Sequence, residues 1–257
     1  MKQLIILAVL ALAVPAMAED FFLYSNMQLT VGSLYNQGAL HDTSRVFIAS
    51  GGHVSGLNAW GFSAVDISGG SFHSLWSWDS STVNMSSGDA LGWYINANGQ
   101  STINMSSGYI HEAIYGWDSS LINISSGYVK NLNPRDSSTM NMSGGSASWS
   151  SAEDTSIANI SGGSIERFYA VDSSIVNISG GSIESLHVSD TSTINIVGQN
   201  FQYGSDLILD GNRLLGTGVL SGQWSDGTPW EIDVVENYSP LQKNLWVSTG
   251  SGNAPRL

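Results

Sequence analysis

Cysteine is absent from the 257 residues, and lysine and arginine together number eight against 21 aspartates and glutamates. The first absence excludes a disulfide framework and any thiolate metal site, so stability must come from burial and hydrogen bonding. The second excludes nucleic acid as a partner, because such binding rests on basic contacts to phosphate and the formal charge here is −13. Charged residues make up only 11% of the chain and prolines number five. Past residue 18, no apolar run approaches the ~20 residues of a helix that crosses a bilayer.

The one long apolar stretch opens the chain. Lys2 precedes an apolar run from Leu4 to Val14, and Ala16-Met17-Ala18 supplies a small-x-small cleavage pattern. Residues 1–18 are therefore expected to be a signal peptide. The mature chain would begin at Glu19 with seven basic and 21 acidic residues, a charge of −14. Secretion or cell-surface display follows, with no transmembrane segment in the mature chain.

What the chain has in abundance is one phrase. Val83-Asn84-Met85-Ser86-Ser87-Gly88 recurs around Asn104, Asn123, Asn141, Asn159 and Asn177, and Asn195 opens a degenerate last copy. Two earlier copies carry Phe47 and Asp66 where the Asn stands. From 47 to 195 the spacings of this marker are 19, 18, 20, 19, 18, 18, 18 and 18. Apolar residues flank each Asn, as in Ile194-Asn195-Ile196, which predicts a short strand with its apolar pair inward and the Asn outward. Ser-Gly or Gly-Gly then turns the chain, where glycine tolerates positive φ. A second apolar stretch follows, for instance Ile183, Leu186 and Val188, or Ile165 and Phe168. Six copies close on Asp-Ser/Thr-Ser, from Asp79 to Asp190, and these are expected to form local side-chain-to-backbone turns.

A unit of ~18 residues cannot bury its apolar side alone, but coiling stacks each strand on its copy ~4.8 Å away. The expected fold is all-β: a single-stranded parallel β-helix, a right-handed β-solenoid of about nine rungs of 18–20 residues. A left-handed hexapeptide helix would need an aliphatic residue every sixth position, which Ile178, Ile183 and Leu186 do not satisfy. Residues 19–41 are expected as an N-terminal cap, 42–198 as the repeats, 199–250 as a β-rich C-terminal cap and 251–257 as a flexible tail.

The Asn-Ile/Met-Ser-Gly-Gly rungs, with the stretches Gly216 to Gly222 and Ser225-Asp226-Gly227-Thr228-Pro229, resemble exported bacterial β-solenoid repeat proteins of the adhesin and surface-protein type. The resemblance covers nearly all of the mature chain and implies a structural or adhesive role. Such proteins often carry a C-terminal Pro-Glu-Pro sorting tail; this sequence ends at Leu257 without one.

Catalytic signatures are missing. No Gly-x-Ser-x-Gly elbow is present, Ser221 stands where a dinucleotide fingerprint needs its third glycine, and His111-Glu112 has Tyr115 in place of a second metal-binding histidine. The alternative to a non-catalytic role is a polysaccharide lyase or glycosidase on the same scaffold, centred on Glu166, Arg167, Glu184 and His187. Adjacent rungs would place Glu166 and Glu184 closer than ~5 Å, too near for either geometry of glycoside hydrolysis.

Aromatic residues offer a better site. Ten residues after each marker the column reads Leu57, Trp76, Tyr94, Ile114, Asn133, Ser151, Tyr169 and His187, with Trp78, Tyr115, Trp117 and Trp149 nearby. Trp76, Tyr94, Tyr169 and His187 are the candidate ligand contacts, and a polysaccharide or other cell-surface component the candidate partner, because exposed rings suit stacking on sugars. Trp93 falls at an inward offset and is expected in the core. The column Asn84, Asn104, Asn123, Asn141, Asn159, Asn177 and Asn195 is expected to form a structural ladder of side-chain amides. No cofactor is expected, with Ca2+ at the Asp turn column as the alternative, since stacked carboxylates repel.

Overall fold

The computed structural model describes residues 19–236 and 244–249; the expected signal peptide and the tail from 251 lie outside them. Among the described residues there is no helix, hence none that could cross a membrane. The chain coils into a β-solenoid of about ten turns, one more than the marker count implies. The extra turn arises at the start, where Glu19–Leu23 pairs in parallel with Leu34–Leu40, and Gln28–Val31 with Arg45–Ile48. Most of residues 19–41, expected as an N-terminal cap, thus already lies in the stack.

Each turn contributes to two parallel ladders. In the first, the Asn strands sit in strict register: Asn84 pairs with Asn104, then Asn123, Asn141, Asn159, Asn177 and Asn195. In the second, the apolar stretch after the glycines stacks on its copies, from Leu34–Leu40 through His53–Ala59 to Ile183–Val188. Four strands run through both ladders of a turn without a break: Ala64–Ser77, Thr139–Ala152, Ile157–Ala170 and Ile175–Val188.

The core is one column of inward side chains, six per turn. Val176, Ile178, Ile183, Leu186, Val188 and Ser192 in one turn lie over Ala158, Ile160, Ile165, Phe168, Ala170 and Ser174 in the turn before, all buried. Volume is traded within a turn: Met140 and Met142 accompany Ala147, Ser150 and Ala152, and Phe168 accompanies Ala158. A constant cross-section demands this, since interiors tolerate neither voids nor overpacking.

At the glycine corner the second glycine is constant from Gly70 to Gly181, while Ser87, Ser107 and Ser126 take the first place in three turns. Gly163 has a φ of +84°, and a Cβ on Gly162 would lie 2.3 Å from the Ser143 carbonyl oxygen of the preceding turn. The opposite corner uses aspartate. Asp79, Asp118, Asp136, Asp154, Asp172 and Asp190 all have φ between +51° and +57°, and Gly61 and Gly99 fill the same place in two turns. This left-handed region strains most residues by roughly 1–2 kcal/mol, and aspartate is among the few that tolerate it. The carboxylates do not close local turns as the sequence led one to expect. Each instead accepts a backbone N–H from the turn before: Asp136 Oδ2 from Asp118 N at 3.0 Å, Asp154 Oδ2 from Asp136 N at 3.1 Å, and Asp172 Oδ2 from Asp154 N at 3.1 Å. Local closure falls to the serine two residues later, whose N–H reaches the carbonyl three residues back, as in Ser81 to Trp78 at 3.1 Å.

The C-terminal end is closed. Pro229–Glu236 lies parallel on Ser185–Val188 as the last strand of the second ladder, and Gly218–Gln223 covers its other edge antiparallel. Asn244–Ser248 ends the first ladder on Thr193–Val197. Trp224 and Trp230, stacked at 4.8 Å, plug the core, and Trp224 Nε1 donates to the Gly181 carbonyl at 2.8 Å. Covered edges and a plugged core remove the two features that make an open solenoid end self-associate.

Candidate functional site

Three surfaces run the length of the rod. The first carries the asparagines. Asn104 Nδ2 donates to Asn84 Oδ1 at 2.9 Å, and the same bond repeats through Asn123, Asn141, Asn159, Asn177 and Asn195 at 2.8–2.9 Å. All donors point toward the N-terminal end. At that end Asn84 donates to Asp66 Oδ1 at 3.0 Å, and Asp66 is held by the Arg45 guanidinium. A carboxylate fits this terminal place because it needs only to accept, whereas an amide there would direct a donor at Phe47, its neighbour in the preceding turn. A shallow recess of about 400 Å³ follows these amides, with Ser86, Ser106 and Ser125 along its other side.

The second surface is the Asp corner. Among the described residues no three histidine, aspartate or glutamate side chains are grouped as metal ligands. The carboxylates spend one oxygen each on the ladder of backbone bonds described above.

The third surface, the outer face of the second ladder, holds the rings. Register there differs from the sequence expectation because three turns carry extra residues: one between Ile48 and His53, two in the bulge at 91–93 between Thr82–Ala90 and Tyr94–Ala97, and one between Ile110 and Ala113. Counting a fixed ten residues across these turns fails. Trp76 pairs with Asn58 on one side and Asn96 on the other, and Asn96 with Tyr115. The true column therefore replaces Leu57, Tyr94 and Ile114 by Asn58, Asn96 and Tyr115; Leu57 and Ile114 are buried in the core. Tyr94 lies on the same face two residues away. Trp93, expected in the core, is 71% exposed, carried outward by the bulge together with Leu91.

The rings fall into clusters rather than one continuous column. In the first, Trp76 and Trp78 stack at 5.8 Å and 9°, Trp93 meets Tyr94 edge-on, Tyr94 packs on Tyr115 at 5.4 Å, and Tyr115 on Trp117 at 6.0 Å. The Arg135 guanidinium covers Tyr115 and Trp117 and is anchored by Glu153. In the second cluster, Trp149, Tyr169 and His187 stack in file at 5.9 Å and 4.3 Å, with Arg167 over Trp149. Trp76 stands in the turn before Tyr94 with its ring on Trp78, Tyr169 and His187 stack directly, and the turn bearing Asn133 separates the two pairs. A further file, Tyr24, His41 and Trp60, stands at the N-terminal end.

Glu166 and Glu184 occupy neighbouring turns on an exposed strand face, and Ser148 Oγ donates to Glu166 at 3.2 Å. At one turn, ~4.8 Å, their separation falls short of the ~5–5.5 Å of retaining glycosidases and well short of the inverting range.

Two features were missed in the sequence reading. The serine closing each corner forms an inward column, Ser44, Ser63, Ser81, Ser101, Ser120, Ser138, Ser156, Ser174 and Ser192, each at most 1% exposed. Its signal was present, since serine recurs there even where the aspartate is replaced by Gly61 or Gly99. The other is Asn96, hidden by the miscounted register. No protein-family model, curated protein or solved structure matches this chain.

Proposed function

We propose that this is an exported, non-catalytic β-solenoid of the adhesin and surface-protein type, structural or adhesive in role, whose outer aromatic face contacts a neutral polysaccharide. The observation that carries this reading is the first group of rings, in which Trp76, Tyr94 and above all Trp93 remain open to solvent, Trp76 stacked on Trp78 and Trp93 set edge-on to Tyr94. Core filling explains none of that exposure, because the bulge that lifts Leu91 and Trp93 lies outside the inward column. Exposed aromatic surface of this kind generally marks recognition, and rings fixed by their neighbours lose little freedom on binding. A net charge of −13 favours neutral over acidic polymers.

The test uses the secreted chain and its Trp93→Ala and Trp76→Ala/Tyr169→Ala variants, run through native gels containing soluble glucan, xylan or mannan. Retardation by one of these polymers is expected. Loss of an exposed aromatic anchor should cost about 1–2 kcal/mol, roughly five- to thirtyfold in Kd. Unaltered mobility of the wild type in every polymer refutes the proposal.

A further inference from the structure

Asn96 lies on the outer face of the rod, in register between Trp76 and Tyr115, yet it is only 4% exposed. Its neighbour two residues on, Asn98, is 7% exposed. Trp76 and Trp117 flank Asn96 from the turns on either side. The two amides are not equally satisfied. Asn98 Nδ2 donates to the Ser77 carbonyl at 3.2 Å. Asn96 Oδ1 accepts from Trp117 Nε1 at 3.3 Å, which fixes the orientation of the amide, because an indole nitrogen only donates. Asn96 Nδ2, pointing the other way, is buried and has no hydrogen-bond partner. Two N–H groups are therefore held without an acceptor inside an aromatic enclosure.

An arrangement of this sort works against stability, since a buried donor without a partner forfeits its hydration and gains nothing in return. An aliphatic side chain at 96 would fill the space without that loss, at the cost only of the 3.3 Å bond from Trp117 Nε1. We infer that Asn96 is the specificity-determining residue of the aromatic site, its Nδ2 donating to a hydroxyl or carbonyl oxygen of the bound sugar. The inference rests on the carbohydrate reading above and sharpens it. The rings supply stacking, which is tolerant of sugar identity, and the fixed amide supplies a directional bond, which is not. Access to Nδ2 requires displacement of a ring over it. Trp76, in register with Asn96 on the side away from Trp117 and 38% exposed, is the ring so placed.

Asn96→Leu separates the possibilities. The secreted wild type and the variant are compared by thermal melting and by affinity for the polysaccharide, glucan, xylan or mannan, that retards the wild type. The expected result is a melting temperature that holds or rises by a few degrees, together with binding weakened at least about tenfold. Undiminished binding by Asn96→Leu overturns the assignment while leaving the aromatic face standing. A fall in melting temperature also overturns it, because the amide would then be structural. If the wild type binds none of the three polymers, the carbohydrate reading itself fails and this inference with it.

Discussion

The amide ladder is directional, and that direction can be tested at its centre. Asn123 Nδ2 donates to Asn104 Oδ1 at 2.8 Å, while Asn123 Oδ1 accepts from Asn141 Nδ2 at 2.9 Å. Asn123→Asp changes one atom, preserves the second bond and abolishes the first, setting a carboxylate oxygen against the Asn104 oxygen. The lost bond is worth about 0.5–1.5 kcal/mol net, and the partly buried oxygen pair left facing each other adds about 1–3 kcal/mol. The sum is about 1.5–4.5 kcal/mol, which for a chain of this size lowers the melting temperature by roughly 3–18 °C. The sign of its pH dependence follows. Repulsion raises the folded-state pKa of the new carboxyl above its unfolded value of about 3.9. The deficit is therefore full at neutral pH and shrinks as acid protonates the group, which then regains a donor for Asn104. Thermal melts followed by circular dichroism at about pH 7 and about pH 4, with wild type alongside, read both effects. A variant that melts with the wild type at neutral pH, or whose deficit grows in acid, would refute the ladder as a directional, load-sharing structure. Asp66, the natural carboxylate in this column, escapes the deficit because nothing precedes it to receive a donor.

At the aspartate corner, Asp136→Ala should lose about 1–3 kcal/mol, since it keeps a φ of +51° without the tolerance of aspartate and removes the acceptor for the Asp118 N–H. Asp136→Gly, relieved of the strain as Gly61 and Gly99 are, should lose less than about 1 kcal/mol by chemical denaturation; equal losses would show that backbone conformation does not govern this place. A pH effect is expected near the start of the rod, where His53 Nδ1 lies 2.7 Å from Ser71 Oγ and its Nε2 lies 3.2 Å from His73 Nδ1. Burial, and then the neighbouring charge of His73, holds the His53 pKa below its ordinary value of 6.5. Its contribution to stability is thus complete above that pH and is lost as pH falls through the lower folded value. Melts at about pH 7.5 and about pH 5.5 should show a smaller acid loss in His73→Gln than in wild type; an equal loss would remove the histidine pair as its cause.

The sequence by itself determined the coil. A marker returning every 18–20 residues, apolar pairs flanking it and glycine after it leave no other way to bury the inward positions, because 18 residues cannot enclose a core. Ile178, Ile183 and Leu186 could be placed inward from spacing alone, and the Asn ladder from recurrence alone. What only the tertiary structure decided is register across the irregular turns and the direction of hydrogen bonds between turns. A fixed offset is valid only where every turn has equal length, and the bulge at 91–93 moved Trp93 from core to solvent and put Asn96 beneath Trp76. The Asp carboxylates, read as closing their own corners, reach instead to a backbone N–H 18 residues away. Local sequence cannot express that choice, since the competing partner exists only once two coils have stacked.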